Sequence, residues 1–536
     1  MTSPVSSSPA DCAWGAFDNV APWLLDPNNI SWEKQAIELR VSAQREVPVL
    51  TTPTRIPPVA RLVVVVWVLS KALLPWLIKK KLRPFATPED SRAYISLRMR
   101  KAVERLGSTY IKLGQIISSG EGLFPVELVN EFKLCRDQVP AIPFESVKKT
   151  IESELGKPLN EVFSYIDTTA LAAASIAQVH LATLITGEEV VVKVQRPTVS
   201  KMVRKDLRVM AWLAPHLVGR IKVSALANPP ALVELFAETI VEELDFRIEA
   251  SNMLDVAKML CELKQDRYII PRPHPTLATQ RVLVMQRLSG FKFDDVAGMK
   301  DAGIDTHAVI RTGMIAFMEG AMIYGVFHGD LHGGNLFVMP DGRTALLDFG
   351  IVGRLTGARR MAFLGLMLNA TTNNVVGQVE ALRDLGALPM DTDIHAVIKD
   401  LNLGDAAIDP TSLSGEELVQ EVQRIVKALM GYGARMPKEL MLYVKNMVFL
   451  DGAIARLAPE LDILAEIASI SMLFAERHGE RLGRELGVDH TAIEINLDSV
   501  KTGVLGVDAS VNSLTYRDLQ ARRELIQKRM RDHVGR

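Results

Sequence analysis

Apolar residues recur along this chain with two different periods, and the changes of period divide it into helical and β-rich segments. Residues 88–160 have apolar positions at helical spacing. Residues 165–195 form two β-rich runs around a short turn, which predicts a hairpin. Residues 230–265 return to a helical pattern, and RVLVMQRLSG (281–290) predicts a buried strand. From residue 300 onward the pattern is mostly helical, except in the stretch 328–350.

The order of these segments predicts a fold class and a set of domains. The regions are a leader and linker (1–60), a hydrophobic and basic helix (61–86), a helical extension (87–163), a small β-rich lobe (164–290), a helical lobe (291–480) and a helical tail (481–536). We expect a poorly anchored leader with one helix near residues 31–46, and a charged, solvent-facing helix at the end of the tail. The fold class is α+β. A small β-rich N-lobe, a connecting strand and a large helical C-lobe are the plan of a bilobal, protein-kinase-like fold with extra helices in front.

Residues 61–85 combine an apolar run with a basic end. The apolar part, Val63 to Ile78, spans 16 residues and contains Lys71 and Pro75, whereas a spanning helix needs about 20 apolar residues. Aromatic rings and cations at its ends resemble an interfacial anchor; they are Trp67, Trp76, Lys79, Lys80, Lys81 and Arg83. Contact with an anionic membrane surface is favoured, and burial against this chain or a partner and a true span stay open.

Composition excludes some classes of protein. The 536 residues carry a formal net charge of −1, so no global basic field attracts nucleic acid. The three cysteines are far apart and form no CxxC pair, which argues against a disulfide framework and suits a reducing cytosol. The N-terminus lacks the charged and apolar regions of a signal peptide. These features predict a cytoplasmic protein, with peripheral contact at the cytoplasmic face of a membrane left open.

The stretch HGDLHGGNLFVMPDGRTALLDFG (328–350) carries the strongest chemical signal. Asp330 and Asn335 are five residues apart, and Asp348 opens a DFG tripeptide thirteen residues after Asn335. In the protein-kinase template this spacing provides a catalytic Asp, followed by an Asn and an Asp that bind metal. Mg²⁺ prefers such hard oxygen ligands. We therefore assign Asp330 as catalytic, Asn335 and Asp348 as metal ligands, and ATP and Mg²⁺ as cofactors. The alternative is that these residues simply make turns.

Lys193 lies inside the apolar strand VVVKVQ. A buried lysine is costly unless it is paired, so we predict that it holds nucleotide phosphates and is oriented by a helix carboxylate. Three carboxylates on one helix face repel each other unless a cation or metal lies nearby. The predicted helix 230–265 places Glu242, Asp245, Glu249 and Asn252 on one face, with Glu243 about a quarter-turn from Glu242.

No glycine-rich GxGxxG precedes the hairpin. An alanine-rich run stands there instead, formed by Ala172, Ala173, Ala174 and Ser175. Because alanine has a Cβ, its backbone has less conformational freedom than that of glycine and cannot approach phosphates as closely. We expect this loop to cover the nucleotide, but to fit its phosphates differently from a glycine-rich loop.

These motifs, in this order, resemble the UbiB (AarF-domain) family of atypical kinases. KLGQ supplies Lys112, Gly114 and Gln115 of the family's KxGQ motif, and DQVPAIPFE continues in the family's manner. AAAS matches the alanine-rich loop, VVVKVQRP carries the nucleotide lysine, and ELDFRIEA supplies Glu243 and Asp245 of the ExD motif. HGDLHGGN and DFG complete the set, although Leu331 and Gly333 stand where prolines are common in such loops. The resemblance covers roughly residues 90–460.

The resemblance implies that helices carrying KxGQ fold over the active site. Lys112 and Gln115 are then catalytic and share one helix face. Asp245 and Glu243 are expected to pair with Lys112, and Glu249 with Lys193, although which of the two glutamates pairs with Lys193 stays open. Met285 and Arg287 of the connecting strand are assigned to adenine, which is contacted mostly through the backbone.

The resemblance also implies ATPase or kinase activity that supports isoprenoid quinone or lipid metabolism at a membrane. The expected partners are ATP or ADP, a lipid or quinone-type small molecule, an anionic membrane surface, and further copies of the chain or biosynthetic-complex partners. Nucleic acid is not expected. Two alternatives stay open: a small-molecule phosphotransferase of the aminoglycoside or choline kinase type, and a pseudokinase scaffold that binds nucleotide without turnover.

Overall fold

The computed structural model describes residues 23, 25, 30–118, 124–135, 139–218, 228–372, 374–401, 429, 431–487, 501, 510–511 and 513–534. The predictions for residues 1–22, 402–428 and 488–500 fall outside these residues. The chain divides into two compact units. The first comprises residues 1–290 and 345–352, and the second comprises residues 291–344 and 353–536.

The N-terminal part of the first unit consists of helices. They are α1 (Glu33–Thr51), α2 (Val59–Leu82), α3 (Pro88–Leu106), α4 (Ser108–Ser118), α5 (Val126–Lys133) and α6 (Phe144–Leu155). The hydroxyl of Thr87 caps α3 by accepting a hydrogen bond from the backbone N–H of Asp90. Gly107 separates α3 from α4 with φ of 95°, a conformation that glycine adopts without strain.

Helix α1 is firmly held, so the expectation of a poorly anchored leader is wrong for this segment. Arg40 donates hydrogen bonds to Ser251 at 2.8 Å, Asn252 at 2.9 Å and Asp255 at 3.0 Å. The indole of Trp32, just before the helix, is buried and donates to the carbonyl of His274 at 3.1 Å. These contacts tie the N-terminal helix to distant parts of the same unit.

Helix α2 presents most of its apolar side chains to solvent. It has 24 residues and is the one helix in the described part of the chain that is long and apolar enough to cross a membrane, with 17% of its apolar window buried. Val65, Val68 and Ala72 form its buried stripe. The interpretation of a helix buried within this chain is therefore wrong, whereas contact with a membrane surface, a span and a partner-facing role stay open.

An antiparallel sheet forms the β-rich part of the first unit. Its strands are β1 (Phe163–Ile166), β2 (Ala172–Ala173), β3 (Ala177–Leu184), β4 (Glu189–Gln195), β6 (Pro273–Ala278) and β7 (Val282–Gln286); β5 (Tyr268–Ile269) lies outside it. The order is β1-β3-β4-β7-β6, with β2 on β3. The predicted hairpin is confirmed, because β3 and β4 pair from Ala177↔Gln195 to Thr183↔Glu189. Val190, Val192 and Val194 face the core beside α6, which leaves Lys193 on the other face.

The predicted single helix over 230–265 is wrong. After α7 (Val199–Leu217), the chain forms α8 (Pro229–Glu242) and α9 (Phe246–Glu262), with a break at residues 243–245. Asp245 adopts an extended conformation and caps α9 by accepting from the backbone N–H of Arg247 at 3.1 Å. The cap satisfies one of the unpaired N–H groups at the helix start, which is why an aspartate favours a break there.

The described residues include two of the three cysteines. Cys135 is a buried free thiol. Cys261, near the end of α9, is disulfide-bonded. The sequence spacing gave no sign of this pairing.

The second unit is mainly helical. Its strands include β8 (Phe291–Lys292), β9 (Val326–His328) and β10 (Leu336–Val338), and β8 pairs with β10. The segment 345–352 of the first unit starts within β11 (Thr344–Leu346) and ends at the first residue of β12 (Val352–Arg354). The helices are α10 (Val296–Asp301), α11 (Thr306–Glu319), α12 (Ala358–Thr371), α13 (Val375–Asp384), α14 (Ile394–Leu401), α15 (Lys438–Leu457), α16 (Ile463–Leu486) and α17 (Tyr516–Val534). Small antiparallel sheets among many helices confirm the α+β class.

An aromatic cluster joins α11, α12 and α15 to β9. The ring of Tyr443 lies 5.0 Å from that of Phe317 and 4.7 Å from that of Phe363. Phe327 packs edge-on against Phe317 at 5.6 Å. A Cβ at Gly353 would lie 2.2 Å from Phe327, so only glycine fits there. This cluster fixes the strand that leads into the loop carrying Asp330.

Elsewhere in the unit, the tail helix α17 is not wholly solvent-facing, because Tyr516 and Leu519 are buried.

Candidate functional site

Lys193 is the centre of a charged cluster in the first unit. Its Nζ lies 2.7 Å from Oε1 of Glu249 and 3.1 Å from Oδ1 of Asp348. It also lies 5.5 Å from the centre of the Phe246 ring, within reach of a cation–π interaction. The pairing left open by the sequence is therefore Lys193 with Glu249.

The electrostatics of this cluster follow from burial and from the charge of its members. Burial alone lowers the pKa of Lys193, but attraction to Asp348 and Glu249 outweighs it and leaves the pKa above its ordinary value. Burial raises the pKa of Glu249 to about 7, because the nearby ammonium of Lys193 offsets only part of the cost of desolvation. The lysine thus stays charged near neutral pH, and the buried glutamate is the group that titrates there.

The KxGQ motif lies on α4. The Nζ of Lys112 is 3.0 Å from Oε1 of Glu243, and both side chains are largely buried. Gln115 follows one turn later and is half-buried. A Cβ at Gly114 would lie 3.3 Å from Sγ of Cys135, so glycine lets α4 pack closely against its neighbours.

Asp245 does not behave as predicted. Its carboxylate pairs with Arg247 at 2.6 Å and caps α9, so the predicted pairing of Asp245 with Lys112 is wrong. The reason is the helix break, which turns Asp245 from a face residue into a terminal residue. Of the two carboxylates in the ExD motif, that of Glu243 pairs with Lys112 and that of Asp245 caps α9.

The DFG tripeptide forms a strained, well-held turn. Asp348 has φ of 56°, unusual for a residue with a side chain. Its Oδ1 accepts from the N–H of Gly350 at 3.1 Å, and the buried amide of Asn252 donates to the carbonyl of Phe349 at 2.8 Å. A Cβ at Gly350 would lie 3.4 Å from Cγ of Glu243, so the pair of Lys112 and Glu243 borders this turn. Strain of this kind concentrates at functional sites.

The alanine-rich loop is clamped from one side by β3 and from the other by Arg196. Ala172 and Ala173 pair with β3, and the N–H of Val139 donates to the carbonyl of Ala173 at 3.0 Å. The guanidinium of Arg196 donates to the carbonyls of Ala174 at 2.9 Å, Pro140 at 3.0 Å and Val139 at 3.3 Å. Arg196 therefore joins the loop to the chain that follows the KxGQ helices.

Three more residues are assigned to nucleotide binding from the sequence: Ser175, Met285 and Arg287. Ser175 is buried beside the alanines. Met285 lies within β7, paired with Val191 of β4. Arg287 is the first residue after that strand, and its exposed guanidinium pairs with Glu189 at 3.2 Å. The assignment of Met285 and Arg287 to adenine stays a prediction.

The loop with Asp330 and Asn335 belongs to the second unit. The amide of Asn335 donates to the carbonyl of Asp330 at 3.0 Å, which closes the loop on itself. The imidazole of His328 accepts from the N–H of Asp330 at 3.2 Å, and that of His332 accepts from Gly334 at 3.1 Å. Both histidines thus brace the loop backbone.

Two residues of α15 that sequence reasoning missed contact this loop. Lys445 forms an ion pair with the carboxylate of Asp330. The buried amide of Asn446 accepts from the N–H of Leu331 at 2.9 Å and donates to the carbonyl of His328. The one available signal was a polar pair inside the apolar stretch MLYVKNMVFL.

Comparison with known proteins gives a consistent result. The family model described as the ABC1 atypical kinase-like domain matches residues 134–382. An uncharacterized chloroplastic aarF domain-containing protein kinase of Arabidopsis thaliana is 32% identical over 402 residues, which are 69% of this chain and 73% of that protein. The "Probable protein kinase UbiB" of Pseudomonas putida is 32% identical over 406 residues, 74% of this chain and 73% of that protein.

A solved structure from Mycobacterium tuberculosis, described as a complex of Rv3197 with erythromycin, has 21% identity and a TM-score of 0.38 over 65% of this chain and 91% of that chain. A likeness at this level carries no argument by itself. The assignment to a family rests instead on the sequence relatives and the motifs. The chain therefore belongs to the ABC1 (UbiB/AarF) family of atypical kinases with a protein-kinase-like α+β fold.

Proposed function

We propose that this protein binds ATP with Mg²⁺ and transfers the γ-phosphoryl group to water or to a small acceptor, in support of isoprenoid quinone or lipid metabolism at a membrane surface. The observation that carries the proposal is the buried Lys193, held between Glu249 at 2.7 Å and Asp348 at 3.1 Å. In kinase chemistry a lysine in this setting binds nucleotide phosphates, and its helix glutamate keeps it in place.

The residues present fit Mg²⁺. Asp348 offers a carboxylate that is 46% exposed, and Asn335 offers an amide oxygen, while Mg²⁺ keeps several waters and takes its other oxygens from phosphates. The described residues contain no group of three or more His, Cys, Asp or Glu side chains arranged to hold a metal. A Mg²⁺ ion that takes most of its oxygens from phosphates and water needs no such group. When bound, Mg²⁺ would neutralise phosphate charge.

The chain's own side chains have distinct parts in the reaction. Lys193 binds phosphate oxygens, and Lys112 brings a second cation that Glu243 holds at 3.0 Å. Asp330 orients the attacking water or hydroxyl and accepts its proton. A bond forms from that oxygen to the γ-phosphorus while the bond to the β–γ bridging oxygen breaks, so that ADP leaves. Phosphoryl transfer of this kind depends mainly on positioning and charge stabilisation.

The membrane part of the proposal is supported by the exposed apolar face and basic end of α2. The link to quinone or lipid metabolism is supported by the family resemblance. Both go beyond the nucleotide chemistry and need lipid-containing assays.

Thermal melting with and without Mg-ATP and Mg-ADP tests nucleotide binding. A ligand that binds only the folded protein at about 100 times its dissociation constant adds about 2.7 kcal/mol. We expect a shift that EDTA abolishes and that Asp348→Asn loses. Asp341→Asn is the matched control, because it removes an exposed carboxylate from the preceding hairpin turn. An equal shift in Asp348→Asn and wild type would overturn the metal assignment.

Product analysis separates the alternatives. Phosphate release with ATP and lipid vesicles, and without another acceptor, supports an ATPase. A phosphorylated small molecule would identify a phosphotransferase. A Mg-dependent melting shift without product under any lipid condition would identify a nucleotide-binding scaffold and reject turnover.

A further inference from the structure

The side chain of Lys445 reaches the proposed catalytic carboxylate from a distant part of the sequence. Its Nζ pairs with Oδ1 of Asp330, and the two side chains are 23% and 16% exposed. Both residues belong to the second unit. The pair is therefore largely withdrawn from solvent, unlike the exposed ion pairs that contribute little to stability.

The position of Lys445 is fixed by its neighbour. Asn446 is fully buried, accepts from the N–H of Leu331 at 2.9 Å and donates to the carbonyl of His328. These bonds hold the backbone on both sides of Asp330. Helix α15 is thus docked on the loop, and Lys445 approaches Asp330 from a rigid support.

The loop itself supplies no cation. Asp330 is followed by Leu331, His332, Gly333, Gly334 and Asn335, with no lysine or arginine among them. Phosphoryl transfer spreads negative charge over the equatorial oxygens and places it next to the group that orients the acceptor. A cation fixed at that point stabilises the charge as it develops.

We propose that Lys445 is a positioning residue for phosphoryl transfer, which fixes the Asp330 carboxylate that receives the acceptor's proton. This inference rests on the proposed function. The ion pair holds the Asp330 carboxylate against α15, while the bonds of Asn446 hold the backbone on either side of it.

The test compares Lys445→Met, Lys445→Arg and Arg456→Met with wild type in phosphate release with Mg-ATP. Arg456 is exposed on the same helix and serves as the control. We expect Lys445→Met to lower kcat by about 10²-fold, the scale of one lost charge-stabilising group. The Mg-ATP melting shift and the KM for Mg-ATP should remain, because Lys445 positions Asp330 and does not bind the nucleotide. Lys445→Arg should recover at least tenfold.

Two results would overturn the inference. One is a kcat in Lys445→Met equal to that of wild type. The other is a loss of rate with a raised KM for Mg-ATP and no recovery in Lys445→Arg, because a merely structural role predicts that pattern.

A double-mutant cycle keeps the inference separate from the proposed function. Melting temperatures of Lys445→Met, Asp330→Asn and the double variant measure the coupling of the pair without any turnover. If wild type yields neither free phosphate nor a phosphorylated product, the proposed function fails, and the cycle still decides on the pair. Non-additive losses support the pairing of Lys445 with Asp330, and additive losses reject it.

Discussion

Lys193 and Glu249 form a buried ion pair that joins the central strand β4 to the first turn of α9, with Nζ 2.7 Å from Oε1. Each charge is costly to bury without the other. Oδ1 of Asp348 also lies 3.1 Å from the same Nζ. The ammonium of Lys193 therefore connects the sheet, α9 and the DFG turn. The net charge of this cluster depends on pH, because Glu249 titrates near neutral pH.

Stability should depend on pH through Glu249. Burial raises its pKa to about 7 in the folded chain, above the ordinary value of 4.5. A raised folded pKa gives stability that is complete below about pH 4.5 and is lost as pH rises through about 7. The melting temperature of wild type relative to Glu249→Gln should thus fall as pH rises from about 5 to 8. Glu104→Gln on α3 is an exposed control. A difference that stays constant with pH would contradict the raised pKa.

Local motifs made much of this cluster predictable. Lys193, Glu249 and Asp348 each stand in a short run whose pattern indicates a strand, a helix or a turn, and the favoured pairing of Lys193 with Glu249 is confirmed. The helix break at residues 243–245 was missed because residues 231–262 contain no glycine or proline. The capping bond of Asp245 outweighs the helical pattern there.

The contacts of Lys445 with Asp330 and of Asn446 with its neighbours could not be predicted from one sequence. Lys445 and Asp330 are 115 residues apart. Helical spacing around Lys445 indicates which face of α15 is apolar, but not which loop that face meets. Only tertiary packing brings the two together.

Arg196→Met should loosen the alanine-rich loop. The variant loses three hydrogen bonds from the guanidinium to the carbonyls of Val139, Pro140 and Ala174, and hydrogen bonds from charged groups contribute about 1.5–3 kcal/mol each at most. We expect faster amide hydrogen exchange in residues 139–142 and 172–175 and a smaller Mg-ATP melting shift. Mass spectrometry resolves both segments, and Arg208→Met on the exposed face of α7 is the control. Unchanged exchange would show that β3 alone holds the loop.

Arg61→Met should destabilise the attachment of α2. Arg61 binds the fully buried carboxylate of Asp206, with Nε 2.5 Å from Oδ1, and donates to the carbonyl of Leu106 at 2.7 Å. Removing one partner of a buried pair costs about 3–5 kcal/mol, which urea denaturation can measure. The double variant Arg61→Met with Asp206→Leu should recover much of this loss, because no buried charge remains. A loss in the double variant as large as in the single one would reject this explanation.

Asn446→Ala should weaken the support of the loop that carries Asp330. The buried N–H of Leu331 and carbonyl of His328 each lose a hydrogen bond from the amide, and an unsatisfied buried polar group costs about 1–3 kcal/mol. We expect a lower free energy of unfolding in urea and faster exchange of the Leu331 amide. Met447→Ala, at an exposed position on the same helix, should change neither. A stable Asn446→Ala variant would show that water replaces both bonds.

Binding to anionic vesicles should depend on the basic end of α2, but not equally on each cation. Lys79 lies 4.5 Å from the Phe85 ring and Lys80 lies 5.1 Å from the Trp76 ring. Both ammonium groups therefore already make cation–π interactions within the chain. Replacing Lys81 and Arg83 with Gln should therefore cost the full contribution of about 1 kcal/mol per charge. Lys79→Gln and Lys80→Gln should cost less.

Co-sedimentation with vesicles of anionic lipid measures these losses, and vesicles of neutral lipid are the control, because they retain the apolar contribution alone. High salt should weaken binding to anionic vesicles and leave binding to neutral vesicles unchanged, since salt screens charge and not apolar burial. Equal binding by wild type and by the variant lacking both Lys81 and Arg83 would contradict an electrostatic anchor. The exposed apolar face of α2 would then be better explained by packing against a protein partner, which salt should leave intact.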